Sequence, residues 1–148
     1  MSYSKLNESG EGLRLAVRIF TLFGRFTSWA VIKLLYRARI TGLEWVPRQR
    51  GMVIAANHVS FLDPPTVGAA IPRWQVYTPR TSLSRNWLYR LLTALAPTVD
   101  VSREGRDTAA IRTLVKLLKG GTSVVFFPEQ TRSADGRLGQ LTPGFHVL

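Results

Sequence analysis

"VIAANHVSFLDPP", residues 53–65, passes from apolar residues typical of a strand to a polar segment with a histidine and an aspartate. The apolar run 51–56 has the length of a strand and is predicted to be buried on both faces of a parallel sheet. Asp63 and Pro64 then predict a helix over 64–71, with Asp63 as its N-cap and Pro64 at the first helical position. The stretch therefore predicts a strand, a polar loop and a helix in succession.

The rest of the chain continues this alternation of strands and helices. Further strands are predicted, from runs bounded by turn residues, over 74–79, 97–101 and 123–127. Residues 37–47 predict a short strand that enters a turn, with Gly42 and Pro47 as the turn residues. Helices are predicted over 84–96 and from Asp107 to the glycine pair Gly120 and Gly121. Alternation of this kind predicts an α/β fold with a mainly parallel sheet flanked by helices.

Composition and charge narrow the class of protein. The chain has 148 residues, enough for one domain with a hydrophobic core, and its hydrophobic fraction of 45% excludes a disordered chain. A net charge of +11 predicts attraction to an anionic partner, which leaves nucleic acid, an acidic membrane surface and phosphate-bearing molecules open. Cysteine is absent, which excludes thiol nucleophiles and disulfides, and two histidines leave little for a metal centre.

Residues 11–37 have the periodicity of an amphipathic helix that precedes the α/β part. Its polar residues share one narrow stripe within an aliphatic and aromatic surface, namely Arg14, Arg18, Thr21, Arg25 and Ser28. Such a helix is suited to lying in a bilayer interface with its arginines at anionic headgroups. The alternative is a helix packed on the core with its arginines in water. We expect no membrane-spanning helix, because arginines interrupt each run before about 18 apolar residues.

Two polar clusters follow predicted strands, and ligands of parallel sheets collect at that end of the strands. In the first cluster, His58 and Asp63 are five positions apart and would point about 140° apart on a continuous helix. They can meet only if the chain turns between them. A carboxylate on one imidazole nitrogen would leave the other free to take a proton from a hydroxyl. The alternative is a capping Asp63 and a loop histidine without a catalytic role.

The second cluster, at 126–133, carries Glu129 and Arg132. Arg132 could bind a phosphate bidentately, and Glu129 could orient Arg132 or contact a substrate hydroxyl. Arg103 and Arg106 follow the strand predicted at 97–101 and offer further cations. The alternative for all four residues is ordinary solvated surface charge. No G-x-S-x-G elbow is present, so Ser60 is not assigned as a nucleophile.

These residues resemble the motifs of a known enzyme family. "NHVSFLDP" at 57–64 resembles the N-H-x-x-x-x-D motif of the glycerolipid acyltransferases related to 1-acylglycerol-3-phosphate acyltransferase. "FPEQTRS" at 127–133 is similar to the family's F-P-E-G-T-R-S motif, and "VDVSREGRD" falls where its arginine-bearing middle motif is expected. The resemblance covers roughly 35–148. It implies an acyltransferase domain over 37–148 behind a membrane-docking segment at 1–36.

The resemblance implies a role for each matching residue. His58 would be the general base and Asp63 would orient it, while Arg132 and, less securely, Arg103 would bind the acceptor phosphate. Glu129 and Thr131 would help to position the acceptor. The implied reaction is direct transfer of a fatty acyl group from acyl-CoA or acyl carrier protein to the free hydroxyl of 1-acylglycerol 3-phosphate, giving phosphatidate.

The resemblance also implies the partners and the location of the chain. The expected partners are a lysophospholipid acceptor, the acyl donor and an anionic membrane surface at its cytoplasmic face, with no metal or other cofactor. Nucleic-acid binding is not expected, because no helix-turn-helix, RNP-like or zinc signature accompanies the charge. Two alternatives are a noncatalytic lipid-binding fragment and an acyltransferase for another lysolipid.

The chain departs from the family pattern at three places. In the middle motif the arginine is offset, so Arg103 and Arg106 compete for its role. Position 130 is Gln where the family has Gly, and Gln130 is strained there if the turn requires a positive φ. The family continues through another helix and strand beyond "TPGFHVL", so the chain is expected to be C-terminally truncated, with His146 at the start of that helix.

Overall fold

The computed structural model describes residues 10–79, 97–99, 101 and 108–141. The helices of the described part are α1 (Glu11–Leu34), α2 (Asp63–Ala70) and α3 (Thr108–Lys119), with a 3-10 helix at Leu43–Trp45. The strands are β1 (Val53–Ala55), β2 (Gln75–Tyr77) and β3 (Ser123–Phe126). The helix predicted over 84–96, together with Arg103, Arg106, Asp107 and His146, lies outside the described residues.

The strands form a parallel sheet in the order β1-β3-β2. β3 pairs with both neighbours, and Val124 is in register with Val53 on one side and Val76 on the other. Beyond β2 the chain at 97–99 continues the parallel pattern, because the Tyr77 amide donates to the Pro97 carbonyl at 3.1 Å and the Tyr77 carbonyl accepts from Val99. The predicted α/β fold with a parallel sheet flanked by helices is confirmed.

The segment 37–47 differs in part from its prediction. The turn predicted at Gly42 is present, with a φ of 82° and a carbonyl that accepts the Trp45 amide. No strand precedes this turn, and the chain enters the 3-10 helix instead.

The strand predicted over 97–101 is present in its described residues as bridges beside β2. Thr98 bridges Tyr77 in parallel, and the Val101 amide donates to the Pro79 carbonyl at 3.3 Å. Asp100 lies outside the described residues.

The central strand of the sheet is more buried than the outer strand β1. Each residue of β3 is buried, whereas Val53 at the start of β1 remains 37% exposed and only Ile54 of that strand is buried. The prediction that β1 is covered on both faces was therefore wrong. β3 is flanked by two strands, while β1 pairs with β3 alone among the described strands and follows the one-sided alternation of a half-exposed strand.

The hydrophobic core forms between α3 and the sheet. Its buried members share helical spacing on α3 or inward positions on the sheet side: Val76, Val99, Ala110, Leu114, Leu117 and Val124. α3 ends as predicted at its glycine pair, where Gly121 takes a φ of 84°. Gly51, before β1, passes so close to the Leu118 carbonyl that a β-carbon at this position would collide with the carbonyl oxygen. This close approach places the start of β1 against the end of α3.

Helix α1 packs against α2 through part of its polar stripe, because Thr21, Arg25 and Ser28 are half-buried whereas Arg14 and Arg18 are exposed. Arg25 donates from its two terminal nitrogens to the carbonyls of Ile71 and Arg73, each at 3.1 Å, at the end of α2. Burial raises the pKa of the nearby Tyr77 hydroxyl, although the positive charge of Arg25 opposes the shift. The prediction that Arg25 reaches lipid headgroups was therefore wrong.

The apolar side chains of α1 point away from the domain. Those exposed along its length include Leu15, Ile19, Leu22, Phe23, Phe26 and Trp29. By length and composition, α1 is apolar enough to cross a membrane, contrary to the expectation that its arginines would prevent this. The broad apolar face predicted from the sequence is present, and it is uncovered.

Candidate active site

The site lies where two loops meet at the carboxyl edge of the sheet. The His58 loop (residues 56–63, ending on the first residue of α2) follows β1, and the Glu129 loop (residues 127–139) follows β3. Because β1 and β3 are parallel neighbours, both loops leave the sheet at the same edge. The Ala56 amide donates to the Phe126 carbonyl at 3.1 Å, which extends the pairing to the start of the loops. The two predicted polar clusters are thus brought together.

One carboxylate oxygen of Asp63 organises the His58 loop. Asp63 Oδ2 lies 2.8 Å from His58 Nδ1 and accepts the amides of Val59 and Ser60 at 2.7 Å each. The chain turns before Asp63, because its amide donates to the Ser60 carbonyl at 3.3 Å. Asp63 is consequently the first residue of α2 and not its N-cap, which is Leu62. The predicted cap is wrong by one position.

This geometry sets the chemistry of the His58 ring. A carboxylate can only accept, so Nδ1 carries the hydrogen and Nε2 presents a lone pair. The described residues place no hydrogen-bond partner on Nε2, and the side chain is 22% exposed. The ring also stacks on Phe127, with centroids 4.4 Å apart, which limits its rotation. His58 is therefore a fixed and accessible proton acceptor.

The Glu129 loop holds the backbone of His58. Glu129 is buried, and its Oε1 accepts the His58 amide at 3.0 Å across 71 residues of sequence. Its Oε2 accepts the Gly139 amide at 3.1 Å. The His58 carbonyl in turn accepts the Ser133 amide at 2.7 Å. Both backbone polar groups of His58 are thus bonded to the other loop.

Arg132 and Thr131 occupy the exposed side of the Glu129 loop. The Arg132 guanidinium lies 3.8 Å from the centre of the Phe61 ring, a cation–π contact that joins the two loops. The Thr131 hydroxyl donates to the Glu129 carbonyl at 3.3 Å. Glu129 forms no ion pair with Arg132 in the described part of the chain, so it does not orient that arginine as one prediction had it. Arg103 lies outside the described residues and stays a prediction.

Gln130 sits in the left-handed region, with a φ of 54°. Strain was expected for Gln130 if the turn requires a positive φ, and the turn does require it. The turn is closed by the Gln130 amide donating to the Phe127 carbonyl at 3.0 Å. A side chain is thus held at a position where glycine is the favoured residue.

Sequence reasoning missed the contacts that join the loops. Phe127, Ser133 and Gly139 each contact His58 or Glu129, yet nothing in their spacing signals it. The only available sign was that both clusters follow parallel strands. Among the described residues, no group of three His, Cys, Asp or Glu side chains is placed to hold a metal ion.

Comparison with known proteins identifies the family of the chain. The family model described as Acyltransferase matches residues 37–148, which include both loops. The chain belongs to the acyltransferase family. It is 31% identical over 107 residues to a 1-acyl-sn-glycerol-3-phosphate acyltransferase of Bacillus subtilis, covering 71% of this chain and 53% of that protein. It is 32% identical over 121 residues to the chloroplastic 1-acyl-sn-glycerol-3-phosphate acyltransferase LPAT1 of Arabidopsis thaliana, a match that covers 78% of this chain and 34% of that protein.

A solved structure shares the fold of this acyltransferase-family chain. The crystal structure of the 1-acyl-sn-glycerophosphate acyltransferase PlsC from Thermotoga maritima matches with a TM-score of 0.60 at 23% identity. The match covers 93% of this chain and 54% of that one. At this identity the likeness shows the fold alone. The chain thus spans about half the length of that structure and of the Bacillus relative.

Proposed function

We propose that the protein transfers a fatty acyl group from an acyl thioester to the free hydroxyl of 1-acylglycerol 3-phosphate. The observation that carries the proposal is the contact between His58 Nδ1 and Asp63, which leaves Nε2 open to a hydroxyl. Membership of the acyltransferase family supports the reaction class. The names of the Bacillus and Arabidopsis relatives support the acceptor.

In the proposed reaction His58 acts as general base. Its Nε2 takes the proton of the acceptor hydroxyl while the oxygen attacks the thioester carbonyl. The new C–O bond forms and the C–S bond breaks. The imidazolium, stabilised by Asp63, returns its proton to the departing thiolate. The proposed transfer is direct, without an acyl-enzyme intermediate, which fits a chain that has no cysteine and no G-x-S-x-G elbow.

Arg132 is the proposed contact for the acceptor phosphate. Its guanidinium is exposed, and its charge has no carboxylate partner in the described part of the chain. Stacking on Phe61 places it beside the His58 loop while its edge stays free for phosphate oxygens. The Thr131 hydroxyl, on the same exposed turn, is a second proposed acceptor contact. Arg103 keeps the same proposed role from the sequence.

Helix α1 is the proposed membrane contact. Its uncovered apolar face suits the acyl–headgroup boundary of a bilayer, and Arg18, on the exposed surface, suits anionic headgroups. Because Arg25 is tied to the domain, we propose that α1 lies in the interface and does not cross the membrane. The cytoplasmic face is proposed because acyl-CoA and acyl carrier protein are found there.

The test is formation of phosphatidate. The purified chain is bound to anionic vesicles containing 1-acylglycerol 3-phosphate and given either acyl-CoA or acyl carrier protein loaded with the same chain. Phosphatidate is measured by mass spectrometry. We expect product from at least one donor, which also identifies the donor, and less product when a neutral lysolipid replaces the acceptor. Folded, vesicle-bound protein that makes no acylated product would leave only the alternative of a lipid-binding domain.

A further inference from the structure

The geometry points to Glu129 as a positioning residue that holds the backbone of the catalytic histidine, and not as a contact for the acceptor. This inference rests on the proposed function, because it concerns the alignment of His58 as a base. It departs from the role that the motif resemblance implied for Glu129, which was to position the acceptor directly.

Both oxygens of the Glu129 carboxylate are bonded to the backbone in the observed arrangement. The residue is only 6% exposed, and its two oxygens accept the amides of His58 and of Gly139. No lysine or arginine of the described residues forms an ion pair with it. The two amides provide the hydrogen bonds that a buried carboxylate requires. The carboxylate is therefore directed at the backbone of the two loops, whereas the exposed Arg132 is the group that faces solvent.

Asp63 and Glu129 hold His58 in different ways. Asp63 binds the ring and two amides of the same loop, so it fixes the ring relative to the His58 loop. Glu129 binds the His58 amide from the other loop, while the Ser133 amide binds the His58 carbonyl. These two bonds fix the His58 loop relative to the Glu129 loop.

This cross-loop tie matters because the proposed acceptor contacts belong to the Glu129 loop. When Arg132 binds the phosphate of the acceptor, the distance from His58 Nε2 to the acceptor's free hydroxyl depends on how the two loops are aligned. Displacements of about 1 Å cost about 100-fold in rate when reacting groups must meet in a defined geometry. Glu129 thus couples the base to the acceptor site without contacting either reacting atom.

Gly139 gives independent access to the same tie. A β-carbon at this position would lie 3.1 Å from Glu129 Oε2, which is closer than ordinary contact. Gly139→Ala would therefore displace the carboxylate while keeping its charge. A role that depends on placement predicts that this change matters, whereas a purely electrostatic role predicts that it does not.

The first experiment compares Glu129→Gln with Asp135→Asn in steady-state acyl transfer. Gln can accept one amide, but its own NH₂ then faces the other, so the cross-loop tie is lost or weakened. Asp135 is the matched control, because it accepts the Ser133 hydroxyl and the Arg137 amide within the Glu129 loop and does not contact His58. We expect kcat to fall about tenfold or more in Glu129→Gln, with KM for lysophosphatidate within about twofold, and no change in Asp135→Asn.

The second experiment measures hydrogen exchange of the His58 amide by NMR, without substrates. We expect slow exchange of this amide in the wild-type chain, faster exchange in Glu129→Gln and an intermediate rate in Gly139→Ala. In steady-state kinetics, Gly139→Ala should lower kcat and leave KM unchanged. A raised KM at unchanged kcat in Glu129→Gln, or unchanged exchange, would overturn the inference. A wild-type chain with slow His58 exchange but no acyl transfer would contradict the proposed function and leave the cross-loop tie standing.

Discussion

The two loops at the carboxyl edge of the sheet differ in how their carboxylates are used. In the His58 loop, Asp63 binds groups at most five residues away and builds a local network around one oxygen. In the Glu129 loop, Glu129 reaches 71 residues back to the His58 amide and leaves its neighbour Arg132 exposed. The first carboxylate binds the ring of the proposed base, whereas the second binds its backbone amide, and the second loop leaves a cation exposed.

The comparison shows that charge alone does not identify a ligand contact. The charged side chains of Asp63, Glu129 and Arg25 each bind two backbone groups, and each joins parts of the fold. Exposed Arg132 and Arg18 are better placed to meet a substrate or a membrane. The burial and hydrogen bonds of a charged residue separate these two uses, and its sequence motif does not.

The largest effect is expected for the carboxylate of the His58 loop. Asp63→Asn keeps the size of the side chain but removes the negative charge that stabilises the imidazolium. We expect kcat to fall by about 10²–10⁴-fold, with KM for the acceptor little changed. Steady-state kinetics on vesicles measure this, with circular dichroism as the check that the variant is folded. Near-wild-type kcat would show that Asp63 only shapes the loop.

The exposed cation of the Glu129 loop should affect binding and not the chemical step. We expect Arg132→Ala to raise KM for lysophosphatidate about tenfold or more, because hydrogen bonds to charged groups contribute about 1.5–3 kcal/mol. KM for an acceptor without phosphate should not change. Arg137→Ala is the matched control, since this exposed arginine of the same loop lies 3.9 Å from Asp135. If both variants behave alike, the phosphate site lies elsewhere.

Helix α1 extends the comparison to two arginines of one stripe. Arg25→Gln removes two hydrogen bonds to carbonyls and should lower the free energy of unfolding by about 2 kcal/mol. Arg18→Gln should leave it within about 0.5 kcal/mol. Binding to anionic vesicles should instead depend more on Arg18 than on Arg25. Because a basic residue at an anionic surface contributes about 1 kcal/mol, Arg18→Gln should weaken vesicle binding about fivefold. Denaturant titration and vesicle sedimentation measure the two quantities, and equal losses in both assays would remove the distinction.

The smallest effect is expected at the strained turn of the Glu129 loop. Gln130→Gly relieves a positive φ worth about 1–2 kcal/mol, but glycine costs about 0.5–1 kcal/mol in backbone entropy. We expect a net stabilisation of about 0.5 kcal/mol. Arg37→Gly is the control, because Arg37 has a similar φ of 48° outside the site. A melting temperature that rises in Arg37→Gly and falls in Gln130→Gly would show that the Gln130 side chain makes a favourable contact.

The sequence predicts features that depend on local pattern. Apolar runs located β1, β2 and β3, and the glycine pair located the end of α3. The contact between His58 and Asp63 was one of two predicted alternatives, the other being a capping Asp63 and a loop histidine. It could be predicted because a turn can bring together two side chains that are five residues apart. The placement of both polar clusters at one edge of the sheet followed from the direction of parallel strands.

What the sequence did not predict depends on packing between distant segments. Nothing in the spacing of Glu129 indicates the His58 amide, because the contact arises only when β1 and β3 pair. The orientation of α1 was also missed. Its broad apolar face stays uncovered, and it contacts the domain through Arg25 of the polar stripe, whose guanidinium donates to the carbonyls at the end of α2.

The central claim is that His58 is the base of a working acyl-transfer site. Its most direct test is thiol release from acyl-CoA by vesicle-bound chain, with and without lysophosphatidate, in the wild type and in His58→Ala. The account predicts acceptor-dependent release by the wild type and at least about a 100-fold loss in His58→Ala, with vesicle binding unchanged. Acceptor-dependent release that persists in His58→Ala would contradict it.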